Sequence, residues 1–208
     1  LTGFVPDIDE PTVLGHLAHP LADPNALLQG ATSRLVYDLL AYLRTKNDPQ
    51  PQPAVVYALA RETHVSELAA GEQTRLQHSF SYSDGFGREI QQKIQAEPGP
   101  LSDGGPDVST RWVGSGWTIF NNKGKPVRQY EPFFSGTHRF EFAHLAGVSP
   151  VLFYDPLDRV VATLHPNRTW QKVSFDPWSQ ATWDVNDTVL IADPEGDFDY
   201  RKEYTPAE

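Results

Sequence analysis

Oxygen-bearing side chains are the chemistry this chain offers most freely. Near its C-terminus Asp193, Glu195, Asp197 and Asp199 alternate, so an extended backbone would project all four to one side, a hard-oxygen set that suits calcium. The spacing departs from an EF-hand loop, and a solvated acidic tail explains the same run. Asp184, Asn186 and Asp187 form a second oxygen cluster that a turn explains more simply. The seven His residues, at 16, 19, 64, 78, 138, 144 and 165, include no pair at helical metal-ligand spacing with a general-base Glu. His16 and His19, three apart among Pro and Gly, read as a surface loop. Gly114-Ser115-Gly116 sits inside a strand-like aromatic run rather than a Gly-x-Ser-x-Gly elbow, and the chain has no Cys to serve as a nucleophile. Twenty-seven acidic residues make chance carboxylate pairs easy, so no glycosidase pair can be singled out. The expectation is a protein with no catalytic residue, no metal ligand and no cofactor.

A different set of polar residues repeats. In Tyr154-Asp155-Pro156-Leu157-Asp158-Arg159, Asp at the first turn position accepts local backbone hydrogen bonds and Pro at the second presets φ. The fourth position wants a left-handed residue, which Asp158 tolerates better than most non-glycine types. Asp84-Gly85-Phe86-Gly87-Arg88 fits the same template with a true glycine at Gly87, and Asn121-Asn122-Lys123-Gly124-Lys125 fits it with Asn and Lys replacing Asp and Arg. A degenerate copy, Asp176-Pro177-Trp178-Ser179-Gln180, keeps Asp176 and Pro177 but puts Ser at the left-handed position and Gln where Arg is expected. The spacings between first positions, 37, 34 and 21 residues, are too irregular for a strict solenoid and imply insertions between hairpins.

The elements that must carry these turns are strands. Aromatics at 12%, eighteen Pro and fifteen Gly are spread along 208 residues, a composition of many short strands and turns. Residues 1 to 30 read as irregular or edge structure. Thr32 to Arg44 fits a helix face through Leu35, Leu39, Tyr42 and Leu43 and strand alternation through Leu35, Tyr37, Leu39, Ala41 and Leu43; neighbouring β signals favour a strand, whose partner, Ala54 to His64, returns after the Pro-rich connection Asn47 to Pro53. Thr74 to Tyr82 and Arg88 to Gln95 flank the first repeated turn, and Pro98 to Thr110 is a Gly/Pro/Asp/Ser loop. Arg111 to Phe120 is expected as one strand with both faces occupied. Val151 to Tyr154, Arg159 to Leu164 and Trp170 to Phe175, with the turn His165-Pro166-Asn167-Arg168-Thr169, form a meander. No composition shift marks two domains, so residues 1–208 are taken as one hairpin-repeat region.

No run reaches the eighteen apolar residues of a membrane helix, and no basic segment precedes an apolar core at the N-terminus. A net charge of -10 without a basic stripe argues against nucleic acid as a partner. With no Cys, stability must come from packing rather than disulfides. The chain opens on Leu1 and has no Met, so a fragment or processed piece of a larger protein is expected.

The aromatic-Asp-x-x-Gly-Arg unit resembles the YD repeat of Rhs proteins and of the B component of insecticidal toxin complexes (Tc toxins). Longer stretches, among them LLQGATSRLVYDLLAYLRT, HSFSYSDGFGREIQQKIQAEPGP and RWVGSGWTIFNNKGKPVRQYEPFFS, look like the C-terminal, Rhs-like portion of that component. The resemblance implies consecutive hairpins forming an extended curved sheet, a wall segment of a shell that sequesters a cytotoxic effector, secreted as part of a toxin complex. It implies as partners the remaining Rhs shell, the C component with its enclosed effector, and the A component through a propeller not evident here. Rhs cores also carry a self-cleavage site marked by Asp-Pro-x-Gly. Asp193-Pro194-Glu195-Gly196 fits only superficially, because Asp197-Phe198-Asp199-Tyr200 follows in place of apolar and Gly context. The alternatives are a carbohydrate- or cell-surface-binding β-domain, since exposed Trp and Tyr stack on sugars, and a hydrolase on a β-scaffold. The five Trp are explained at least as well by sheet packing.

Overall fold

The computed structural model describes residues 4–191 together with 196 and 197. Antiparallel strands dominate, as the composition implied, but the chain divides into two compact units where the sequence suggested no boundary: residues 1–115 with 132–144, and 116–131 with 145–208.

The first unit opens with helices rather than the irregular structure expected. Helix α1 (Glu10–Ala18) has Asp9 as N-cap, accepting from the Thr12 amide at 3.0 Å, and α2 (Pro24–Leu28) has Asp23 accepting from the Ala26 amide at 3.2 Å. An Asp cap followed by Pro in the first turn is a helix start signal. The run from Thr32 is likewise not one strand: β1 (Ser33–Asp38) stops at a turn, and α3 (Ala41–Thr45) follows. Asp38 draws the chain round by accepting from the Leu40 amide and pairing with Arg44. Next come β2 (Ala54–Arg61), a 3-10 turn at Val65–Glu67, β3 (Leu76–Ser83) and β4 (Glu89–Ala96). The Pro98 to Thr110 loop contains a small ladder, β5 (Gly99–Pro100) with β6 (Asp107–Val108).

The expected strand from Arg111 to Phe120 is split between the units. β7 (Arg111–Gly114) ends in the first; β8 (Thr118–Phe120) pairs with β9 (Pro126–Gln129) in the second, and β10 (Phe133–Ser135) returns to β7. Gly116 makes the break possible, because a Cβ there would overlap the Tyr130 carbonyl. The main sheet of the first unit therefore runs β1-β2-β3-β4-β7-β10, antiparallel throughout.

One face of this sheet forms the core. Tyr57, Phe80 and Tyr82 stack across β2 and β3, with the Tyr57 and Phe80 ring centroids 4.5 Å apart, and Trp112 of β7 meets Phe80 edge-on. Leu27 and Leu28 of α2 are buried, and the Tyr57 hydroxyl meets the His78 Nδ1 at 2.7 Å. Strand β4 turns its polar residues inward: Gln91 and Lys93 are buried while Ile94 is exposed. The opposite face carries small and polar groups in its middle, Ala58, Ala60, Ser79 and Gln92 among them, around a shallow concavity of about 740 Å³.

The second unit holds the β8-β9 ladder and a four-stranded meander, β11 (Val151–Tyr154), β12 (Val160–Leu164), β13 (Trp170–Phe175) and β14 (Gln180–Trp183). Trp170 is buried on one side of β13, and Lys172 on the same side pairs with Asp197 at 2.9 Å. The turns at 84–88, 121–125 and 155–159 thus sit on three hydrogen-bonded ladders rather than along one continuous ladder.

Candidate functional site

The repeated turns share one atomic design. In the first, the Asp84 backbone closes the loop by donating to the Arg88 carbonyl at 3.0 Å, while Gly87 donates to the Asp84 carbonyl at 3.1 Å. The Asp84 carboxylate then works with both oxygens. Oδ1 accepts from the Phe86 and Arg88 amides at 2.8 and 3.0 Å, and Oδ2 accepts from the Arg88 guanidinium at 2.6 Å. Gly87 has φ +78, the left-handed conformation that a type I turn with a bulged closure needs.

Asp155 reproduces this almost atom for atom: Oδ1 accepts from the Leu157 and Arg159 amides, both at 2.9 Å, and Oδ2 from Arg159 at 2.6 Å. Burial raises the pKa of each Asp, but the hydrogen bonds and the Arg charge outweigh it, and both carboxyls end below their ordinary range. Asn121 keeps the half of the design that an amide can make, its Oδ1 accepting from the Lys123 and Lys125 amides at 3.0 and 2.9 Å, with Gly124 at φ +78. All three hairpins also carry a register shift next to the turn, between Tyr82 and Ser83, Ile119 and Phe120, and Phe153 and Tyr154 on the strand that enters it. The turn and bulge together add twist to each hairpin.

Asp158 occupies the left-handed position at φ +63, as the template requires. It does more than stand in for glycine. Lys123 of the preceding hairpin lies 3.3 Å from its Oδ1 without hydrogen-bonding geometry to that atom, and donates instead to the Pro156 carbonyl at 2.9 Å. The Tyr154 hydroxyl donates to the Pro126 carbonyl at 2.7 Å, and Arg159 stacks 4.0 Å from the Phe175 ring centre in the next hairpin. Within the second unit, each repeat position therefore holds its neighbours in register.

The Asp176 copy is a different loop. It is one residue shorter, with Phe175 opposite Gln180, and closes from the Asp176 amide to the Ser179 carbonyl at 3.0 Å. Ser179 is not left-handed; its hydroxyl takes the role of Arg by bonding Asp176 Oδ2 at 2.5 Å, while Pro177 supplies the second turn position. A further copy had gone unrecognised at His165-Thr169. There the His165 amide donates to Thr169, Arg168 donates back to His165, and Arg168 takes the left-handed φ of +67. Neither Asp nor Gly marks it; Pro166 at the second position, its length and its place between strands were the available signals.

The other candidate groups resolve into structure. Ser115 exchanges backbone and hydroxyl hydrogen bonds with Gln92, at 2.9 and 2.8 Å. Asp184, Asn186 and Asp187 close a turn on one another. His16 lies in α1 and His19 caps it. Asp197 is buried against Lys172, while Asp193, Glu195, Asp199 and the Asp193-Pro194 bond lie outside the described residues. Among the described residues no three His, Cys, Asp or Glu come together as a metal site.

Sequence reasoning missed a buried polar knot in the first unit. The Lys93 ammonium pairs with Glu141 and lies 4.5 Å from the Phe133 ring centre, and Gln91 clamps the Glu141 backbone through both ends of its amide at 2.9 and 3.1 Å. Burial lowers the Lys93 pKa, partly offset by Glu141. These contacts tie Glu141 to β4, a long-range pairing that no local pattern announces.

No protein-family model matches the chain, and no curated protein matches it. Solved structures do. A chain of the TcdB2-TccC3 crystal structure aligns over 93% of this chain with a TM-score of 0.66 at 22% identity. TcdB2-TccC3 without its hypervariable C-terminal region aligns over 96% with a TM-score of 0.66 at 18% identity. The Photorhabdus luminescens Tc holotoxin pore, with a substituted TccC3, aligns over 96% with a TM-score of 0.57 at 20% identity. The fold is that of a segment of these Tc toxin structures. The chain spans about a tenth of the chains it matches, 9%, 12% and 10% in that order.

Proposed function

We propose that this chain is a wall segment of a Tc/Rhs-type shell, acting by sequestering a cytotoxic effector rather than by catalysis. The observation that carries the reading is the match over 93% of the chain to a TcdB2-TccC3 chain. The middle of the face opposite the aromatic core of the first unit fits the role of lining: Ala58, Ala60, Ser79 and Gln92 are small or polar there, and the exposed apolar groups of that face, Ile94 and, on the β1 edge, Leu35 and Tyr37, flank them. The partners under this reading are the rest of the shell, a C component with its effector, and an A component reached through another part of the assembly, all outside the cell. Among the aromatics, Trp112, Trp170 and Tyr57 are core residues, while the exposed Trp178 sits in the 176–179 turn.

Limited proteolysis of the full-length polypeptide carrying these residues, purified with its C component, tests the proposal. An effector segment that resists protease until the shell is denatured supports it. An effector digested at the rate of the free polypeptide contradicts it.

A further inference from the structure

An imidazole lies inside the aromatic layer of the first unit. His78 of β3 is 4% exposed and stacks on Tyr57 of β2, with ring centroids 6.0 Å apart. Its Nδ1 meets the Tyr57 hydroxyl at 2.7 Å, and the same hydroxyl lies 3.5 Å from the Pro20 carbonyl, in the connection between α1 and α2. The short leg takes the hydroxyl proton: Tyr57 donates to Nδ1, so the neutral ring carries its hydrogen on Nε2. Burial pushes the Tyr57 pKa up, which keeps this hydroxyl a donor.

A second proton on the ring reverses the short leg. The cation donates from Nδ1 to the Tyr57 oxygen, and the hydroxyl proton must turn to the Pro20 carbonyl, too far for a good O–H···O bond unless the connection moves. The new charge also has no counter-charge waiting for it. The buried Arg34 of β1 and Lys93 of β4 share this face, and Arg61 of β2 holds the Gln29 and Ala31 carbonyls at its rim. His19, His138 and Arg139 line a concavity beside Pro20. Of the carboxylates, Glu141 is taken by Lys93 and Asp38 by Arg44.

Pro20 belongs to the most lightly held part of the unit. No residue of α1 is buried, and a cavity of about 180 Å³ lies under Leu14 and Leu17, between the helix and the sheet. Besides the contact at Pro20, α1 is tied by the Leu17 carbonyl to His138 Nε2 at 2.8 Å and by Glu10 to Arg44 at 3.5 Å. Helix α2 is anchored independently, by the buried Leu27 and Leu28 and by Arg34 donating to the Leu27 carbonyl at 2.7 Å.

We propose that the chain of hydrogen bonds from His78 through Tyr57 to Pro20 is an acid-sensitive pin, which fastens α1 and its connection to the sheet at neutral pH and releases residues 10–23 when His78 takes a proton. The strands stay paired, and the charged ring gains water through the gap. Burial lowers the His78 pKa from 6.5 to about 4, so the ring binds its proton more tightly once the segment lifts. The closed form is therefore favoured in full above 6.5 and loses ground as pH falls towards 4. The carboxyls of Asp84 and Glu141, held below their ordinary 3.8 and 4.5, stay charged at pH 5 and do not share this window. The inference concerns the interior of the first unit and does not rest on the shell reading; either can fail without the other.

Hydrogen exchange read by mass spectrometry on the full-length polypeptide carrying these residues measures the release, with labelling times scaled for the chemical exchange rate at each pH. A nine-residue helix freed from its sheet does not hold itself, so the amides of α1 report the opening. Protection within 10–23 should fall about 30-fold from pH 7.5 to pH 5, the population change that a shift from 6.5 to about 4 gives, while β2 and β3 keep theirs. His78→Asn offers Tyr57 an oxygen acceptor that does not titrate, and should be equally protected at both pH values. Should that variant unfold, Tyr57→Phe, which cuts the link to Pro20, should show at pH 7.5 the low protection that the wild type shows at pH 5. Unchanged protection of the wild type between the two pH values would overturn the proposal. A fall that persists in His78→Asn would overturn it by placing the response elsewhere, His138 first. So would a fall shared by β2 and β3, which is unfolding of the unit, or a Tyr57→Phe variant as well protected as the wild type at pH 7.5.

Discussion

One carboxylate explains why the turn motif has the form it does. Asp155 binds two amides with one oxygen and a guanidinium with the other, so three donors that a tight loop would leave unpaired are satisfied by a single side chain. Asn121 is the natural control, because it keeps the amide bonds and has no guanidinium to bind. Asp155→Asn should therefore cost about 1 kcal/mol, since the lost ion pair has a half-exposed Arg159. Asp155→Ala should cost roughly 2 to 3 kcal/mol, because the amides lose their acceptor as well. Urea denaturation of the two variants measures the difference. The pH dependence has a definite sign: the folded Asp155 pKa lies below the ordinary 3.8, so its contribution is complete above that value and is lost as pH falls through the lower, folded one. Below pH 3.8 the gap between wild type and Asp155→Asn should narrow, and a constant gap would contradict the assignment.

At the level of elements, what was legible in the sequence is what is locally encoded. Asp84, Asn121 and Asp155 announce their hairpins because the bonds they make span only two to four residues. The helices α1 and α2 were equally local, signalled by Asp9 and Asp23 with a following Pro, but they were too short for periodicity to reveal. The burial of Gln91 and Lys93 was not legible at all: hydrophobic alternation would place Ile94 inside, and the partner that reverses it, Glu141, arrives some fifty residues later. The break between β7 and β8 was hidden for the same reason. Gly116 reads as an ordinary residue in a strand until Tyr130 is brought against it. Gly116→Ala should destabilise the second unit by at least ~2 kcal/mol, because the obstacle is backbone and cannot swing away. Thermal denaturation of that variant checks this; a melting temperature unchanged from wild type would mean that the chain does not cross there as described.

Across the whole chain, the interlocking contacts favour construction by addition. Lys123 reaches into the next turn, Tyr154 back to the previous hairpin, and Arg159 across to Phe175, so each hairpin of the second unit is registered by its neighbours. The first unit buries its aromatic core on one face and presents small and polar groups in the middle of the other. Under the proposed reading, such a design serves a segment of a larger wall. Electron cryo-microscopy of the full-length polypeptide carrying these residues tests that account most directly. The account predicts that residues 33–135 and 151–183 form part of the wall of a hollow shell, with the face of Ala58, Ser79 and Gln92 towards the lumen. A solid particle from which this segment projects as a separate domain, both faces in solvent, would contradict it.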